Sequence, residues 1–208
     1  MLLFHSVEYP KGAFMKLIVS LFITTLTLAL SPGDKAPNFT LVNQDGKQIT
    51  LASFKGKKVI LEWYNEGCPF VRKHYDSLNM QQTQKLAKDS GHYWLTINSS
   101  NIGKQGYIRD AAAAKNRLQV EKSNASHLLI DTDGTVGRRY NAKTTPEIFI
   151  INESGVIDYM GAIDSIASAD KSDIQNARNY VKNALEQLKN NEKVNPARTK
   201  PYGCSVKY

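Results

Sequence analysis

Cysteine is nearly absent from this chain: two occur in 208 residues, Cys68 and Cys204, at distant positions. Such scarcity excludes a multiply bridged scaffold and leaves one disulfide, or one reactive thiol with a distant companion. The four histidines, His5, His74, His92 and His127, are scattered without ligand spacing, and no Cys-x3-Cys pair is present to carry copper. No glycine-rich phosphate loop, internal repeat or low-complexity tract occurs. These absences lead us to expect neither a metal nor a cofactor.

Charge of one sign is in excess but not concentrated. Lys and Arg number 27 against 19 Asp and Glu, a formal net charge of +8. Arg72, Lys73, Arg138, Arg139 and the tail lysines are separated by acids and polar residues, without the basic stripe that nucleic-acid binding requires. The charge reads as a solvated surface, and no nucleic-acid partner is expected.

Long apolar runs are confined to the N-terminus. Lys11 and Lys16 precede an uncharged run from Leu17 to Leu30, which fits a signal-peptide core and falls short of a bilayer span. Ala29 offers a small residue for cleavage, and Met15 opens an alternative start. Residues 1–30 thus read as a signal peptide or N-terminal extension of an exported, periplasmic or otherwise extracytoplasmic protein. A membrane tether follows only if that segment stays uncleaved. The remainder is long enough for one α/β domain, 31–190, followed by an irregular tail, 191–208, that carries Cys204.

Within the domain, Asn38–Val42 and Gln48–Leu51 flank an Asp45-Gly46 turn and predict a hairpin. The β-branched and aromatic run 59–65 predicts a central strand that delivers the chain to Cys68. Periodic apolar residues predict one helix over 69–88, with Pro69 suited to its first position. A strand over 93–98, a helix over 107–118, a strand over 127–131 and a helical turn over 134–140 follow. Segments 147–152 and 156–162 predict a second hairpin, and Ser172 is expected to cap a long amphipathic helix through Leu188.

Three features then carry a likeness: the strand-to-helix element Leu61-Glu62-Trp63-Tyr64-Asn65-Glu66-Gly67-Cys68-Pro69-Phe70-Val71, the element Thr144-Thr145-Pro146, and the hairpin from Phe149 to Met160. Together with the element order they resemble the thioredoxin superfamily over roughly 34–188. Within it, they resemble the extracytoplasmic redoxins near the AhpC/TSA peroxiredoxin and thioredoxin-like branches. The resemblance implies a central mixed β-sheet flanked by helices with an N-terminal β-hairpin. It also implies a cis Pro146 facing Cys68, and Glu62 as a buried proton acceptor for thiol chemistry. A salt-bridged or solvent-facing Glu62 is the competing reading.

The likeness has gaps. Val71 stands where thioredoxins carry their second cysteine, and Asn65 and Leu61 stand where peroxiredoxins carry Thr or Ser and Pro. Cys204 supplies the missing thiol if the Gly- and Pro-containing tail swings it toward the helix; otherwise it forms a structural bond or stays free.

Cys68 stands on physical grounds as well. A thiolate at a helix N-terminus meets unpaired N–H groups and the positive end of the helix dipole, so its pKa falls below the free value of about 8.5. Arg72 and Lys73 are expected to add positive charge. The expected activity is attack by Cys68 on a protein or small-molecule disulfide or on a peroxide, followed by resolution by Cys204 or an external reductant thiol. The alternative is a binding or assembly factor with a static Cys68–Cys204 bond.

Overall fold

The computed structural model describes residues 30–208, so the expected signal segment lies outside the described residues, save Leu30. Strands β1 (Thr40–Asn43) and β2 (Gln48–Thr50) form the expected hairpin, with Asn43 Oδ1 accepting from the amides of Asp45 and Lys47 to fix the turn. A 3-10 turn, Leu51–Phe54, leads to β3 (Val59–Trp63). Helices α1 (Pro69–Asp76) and α2 (Asn79–Asp89) and strand β4 (Tyr93–Asn98) follow. Next come α3 (Ala111–Val120), β5 (His127–Ile130), α4 (Thr135–Tyr140), β6 (Thr144–Thr145), β7 (Glu147–Ile151) and β8 (Ile157–Gly161). Helix α5 (Tyr180–Lys189) and strand β9 (Cys204–Ser205) complete the chain.

Seven strands make one mixed sheet in the order β2-β1-β5-β4-β3-β7-β8, and β6 pairs separately with β9. Strands β3, β4 and β5 run parallel, while β7 lies antiparallel to β3. Both faces of β3 are buried, and strand alternation divides its residues between them. Val59, Leu61 and Trp63 join Leu95, Ile97, Phe149, Tyr140 and Val206 on one face. Ile60 and Tyr64 join Val71, Tyr75, Ile148, Ile150, Val181 and Leu185 beneath α1, α2 and α5 on the other. The fold is α/β of the thioredoxin type.

Three helix expectations need correction. The helix expected over 69–88 is two. Ser77 turns its hydroxyl back onto Lys73 O (2.6 Å) and His74 O, diverting carbonyls from the next turn, and Leu78 adopts φ 62° before α2 begins. The apolar period runs across this break, which is why it reads as continuous. Helix α3 starts at Ala111 rather than Tyr107, because Asp110 caps it by accepting from Ala113 N (2.8 Å). Ser172 is not the cap of the last helix. Asp170 caps a 3-10 turn, Lys171–Gln175, and Asn179 caps α5 by accepting from Lys182 N (2.9 Å).

The tail, although mostly irregular, is packed rather than loose. It runs along β8, where Met160 N donates to Ala197 O (3.0 Å) and Thr199 N to Met160 O (3.1 Å). A Cβ at Gly161 would lie 2.4 Å from Thr199 O, so this crossing needs glycine.

Leu78 holds a left-handed conformation costly for a β-carbon while 49 % exposed, so it contributes little packing. We expect Leu78→Gly to stabilise the fold by about 1 kcal/mol, read as a higher urea midpoint at unchanged m-value.

Candidate active site

Strand β3 ends in a built turn. Asn65 Oδ1 accepts from Gly67 N (2.9 Å), Cys68 N donates to Asn65 O (3.2 Å), and Cys68 becomes the N-cap residue of α1 with Pro69 behind it. The Asn65 side-chain amide donates to Gln105 O (2.9 Å) and Ser100 Oγ (3.2 Å). It holds the 99–107 segment against the turn and is not free for a sulfur-bound oxygen.

Cys68 is completely buried. Its Sγ donates to Thr145 O at 3.0 Å, the carbonyl just before the cis Thr145–Pro146 bond, so the cis-proline element does face the thiol. Thr145 Oγ1 is buried with no nitrogen or oxygen partner among the described residues and stands beside the sulfur.

Cys204 lies directly across. Strand β9 pairs antiparallel with β6, setting Cys204 opposite Thr145 and Ser205 opposite Thr144. The two cysteines are free thiols that pack in one cluster, and Cys204 keeps partial exposure. Gly203 makes this approach possible: at φ 140°, a Cβ there would sit 2.0 Å from Thr145 O.

The expected swing of the tail is replaced by seating on both sides of Cys204. Upstream, Tyr202 is hydrogen-bonded to His74 Nε2 (3.2 Å) and to Asp164. Downstream, Val206 N donates to Lys143 O (3.1 Å) and Asn101 N to Lys207 O (2.8 Å). The last ring, Tyr208, lies against Gly134 and Gly137 with Arg138 stacked 4.6 Å from its centre, and its hydroxyl donates to Ala142 O (2.8 Å).

The electrostatics differ from expectation in one respect. Arg72 pairs with Glu121 (2.6 Å), and the fully buried Lys73 pairs with Asp164 (3.0 Å), so both cations are neutralised. Burial pushes the Cys68 thiol up. Its close contacts with Thr145 and Cys204 and the Val71 amide at the helix start outweigh burial and bring it below its ordinary value. Cys204 goes the other way, to about 11, through desolvation, its hydrogen bond to Cys68 and the charge of that neighbour. Cys68 is therefore the more acidic of the two thiols.

Glu62 is fully buried on the helix-covered face, not solvent-facing or salt-bridged. Four side chains donate to it: Trp94 (2.7 Å), Tyr75 (2.9 Å), Thr96 (3.0 Å) and Gln84 (3.3 Å). Desolvation outweighs all four and raises its pKa to about 7. None of its hydrogen bonds reaches a cysteine.

Thr145, Asp164 and Tyr202 escape the sequence reading as site residues. Thr145 and Tyr202 flank Pro146 and Cys204 closely enough to have been found by proximity; nothing in the sequence singles out Asp164.

A buried cysteine at a helix start, facing a cis-proline strand on a mixed sheet, places this chain in the thioredoxin class. The Redoxin family profile matches residues 31–178, and the chain belongs to that family. It is 30% identical over 129 residues to the thiol-disulfide oxidoreductase ResA of Bacillus subtilis, covering 62% of this chain and 66% of that one, just under two thirds of its length. A shorter stretch of 35 residues is 54% identical to Peroxiredoxin Q of Triticum aestivum, 17% of this chain and 16% of that one. A conserved protein of Geobacillus kaustophilus has the same fold, with TM-score 0.70 at 22% identity over 86% of this chain and 92% of its own. The thioredoxin domain of a thiol-disulfide oxidoreductase from Bacteroides vulgatus superposes with TM-score 0.50 at 23% identity, over 62% and 86% of the two chains.

Gly203→Ala drives a methyl group into Thr145 O and should unseat the tail. Expected results are at least ten-fold faster alkylation of Cys68 at pH 9 and a midpoint shifted up toward a free thiol, measured by iodoacetamide kinetics against pH.

Glu62 contributes a separate pH effect. Its folded pKa lies above the ordinary 4.5, so its contribution to stability is fully present below about pH 4.5 and is lost as pH rises through about 7. Glu62→Gln should flatten the fall in urea midpoint across that window.

Proposed function

We propose that this protein is an exported thiol-dependent oxidoreductase that cycles between a Cys68/Cys204 dithiol and a Cys68–Cys204 disulfide. The carrying observation is the free Cys204, set opposite Thr145 by the β6–β9 pairing, while Thr145 O accepts from the buried Cys68 thiol. Export rests on the apolar run after Lys11 and Lys16.

In the oxidative half, the Cys68 thiolate attacks one sulfur of a substrate disulfide. The first substrate sulfur leaves as a thiolate that takes a proton from solvent. Cys204, deprotonated as the mixed disulfide forms, attacks the Cys68 sulfur, closes the intramolecular disulfide and expels the second substrate thiol. Two electrons pass to the substrate. In the reverse half, an external thiolate attacks the more exposed sulfur, Cys204, and Cys68 departs as the better leaving group. A second thiol then releases Cys204, and the external pair leaves as its disulfide.

Pro146 holds the Thr145 carbonyl and hydroxyl against the sulfur in this reading. Glu62 is the buried acid beneath the site that takes up a proton near neutral pH.

A peroxide reading is favoured by one detail, the Thr145 hydroxyl that has no other partner beside the sulfur. There the Cys68 thiolate attacks a hydroperoxide oxygen, the leaving alkoxide or hydroxide takes a proton, and the Cys68 sulfenic acid condenses with Cys204, releasing water.

The test is oxidation of the reduced protein with one equivalent of glutathione disulfide or of hydrogen peroxide, with products mapped by mass spectrometry. We expect a Cys68–Cys204 disulfide in wild type, a mixed disulfide or sulfenic acid held at Cys68 in Cys204→Ser, and no intramolecular bond in Cys68→Ser. The faster oxidant by stopped-flow identifies the substrate class. A bond already present on isolation and resistant to mild reductant, or no reaction at either cysteine, defeats the proposal.

A further inference from the structure

Apart from the redox pair, the most unusual group in the molecule is a buried ionic cluster on the second turn of α1. Lys73 has no exposure; its Nζ donates to Ile166 O (2.7 Å), lies 3.0 Å from Asp164 Oδ2 and reaches Tyr202 Oη at 3.3 Å. Tyr202 donates its hydroxyl proton to Asp164 Oδ1. Desolvation first, and the nearby Lys73 charge, bring His74 down to about 4 against the pull of Asp164, so the ring is neutral. Its Nδ1 accepts from Asn79 (2.9 Å), which leaves Nε2–H to donate to Tyr202 Oη at 3.2 Å. The Tyr202 ring stands edge-on to Phe70, with centres 5.8 Å apart.

Burying a lysine and an aspartate together is a poor route to stability, because desolvation offsets most of the attraction. What such a cluster does well is fix one geometry, since removing any partner leaves a buried charge or donor unsatisfied. Here the geometry fixed is that of the tail against the active helix. Phe70, Lys73 and His74 all belong to the helix that begins at Cys68, while Tyr202 is separated from Cys204 only by Gly203. Asp164, just beyond β8, ties both to the sheet.

We propose that Lys73, Asp164 and Tyr202 are positioning residues that hold Cys204 in register with Cys68 and so set how readily their disulfide forms. The proposal rests on the reading that these two cysteines are the redox pair. None of the three touches either sulfur. They act through the tail backbone, by limiting the arrangements from which Cys204 meets its partner.

The test uses the full chain with Tyr202→Phe, which keeps the ring against Phe70 and removes only the hydroxyl. Two quantities are measured: the equilibrium of the Cys68–Cys204 disulfide with glutathione, and the pH midpoint of Cys68 alkylation. We expect the disulfide to be about ten-fold easier to reduce and the midpoint to move up, because Cys204 is no longer held beside Cys68. Asp164→Asn should shift both quantities in the same direction. A purely structural role would lower the melting temperature and leave both quantities at their wild-type values, and that result overturns the proposal. If wild type forms no such disulfide, the redox-pair reading fails on its own, while the alkylation midpoint still decides whether the clamp holds Cys204 against Cys68.

Discussion

The pairing of two short strands, Thr144–Thr145 with Cys204–Ser205, is the constraint on which the rest of the site depends. Two residues of ladder are too few to persist alone. The pairing survives because Tyr202 and Tyr208 seat the tail on either side and because Gly203 lets the backbone pass Thr145 O without a β-carbon. Once it forms, Cys68 is covered, Cys204 is brought beside it, and the carbonyl before the cis bond accepts from its thiol. The pairing thus brings a second cysteine from the tail to the neighbourhood of Cys68.

The Cys68 thiol is made more acidic by its short-range contacts rather than by nearby cations. Arg72 and Lys73 follow Cys68 closely in sequence, yet each is matched by a carboxylate, Glu121 and Asp164. A matched pair projects a weak field. An N–H or O–H aimed at the sulfur acts at full strength in a dry site. The contacts are those of Thr145, Val71 and Cys204, and two of these three residues lie on the paired strands. Folding of the tail and acidity of the thiol are therefore one event.

Much of this was legible in the sequence. Strand β3, its alternation and the placing of Cys68 at a helix start followed from β-branched residues, Gly67 and Pro69, because local chemistry dictates them. The cis Pro146 came from family resemblance alone. The breaks went unread where a polar side chain overrides an apolar period, as Ser77 does between α1 and α2 and Asn179 does before α5. The tail was misjudged for a different reason. Its order comes from contacts with residues far away in sequence, such as Gly134, Gly161 and Asp164, and no local pattern reports them. Lys73 reads as a surface residue for the same cause: its burial depends on Asp164 and Tyr202 arriving from elsewhere.

On the proposed redox reading, the sealed arrangement sets up a competition at β6. A peptide seeking to lie along β6 competes with a strand tethered to the same molecule, whose effective concentration is on the order of millimolar or higher for a short, well-matched connection. A free peptide at micromolar concentration loses that contest by a large factor. A small oxidant, or a thiol approaching the exposed Cys204, needs no such displacement. The tail therefore occupies the edge of β6 beside Cys68. The seating residues decide how firmly it is held there, because any loosening at Tyr202 or Gly203 exposes Cys68 and lowers the barrier to larger partners in the same step.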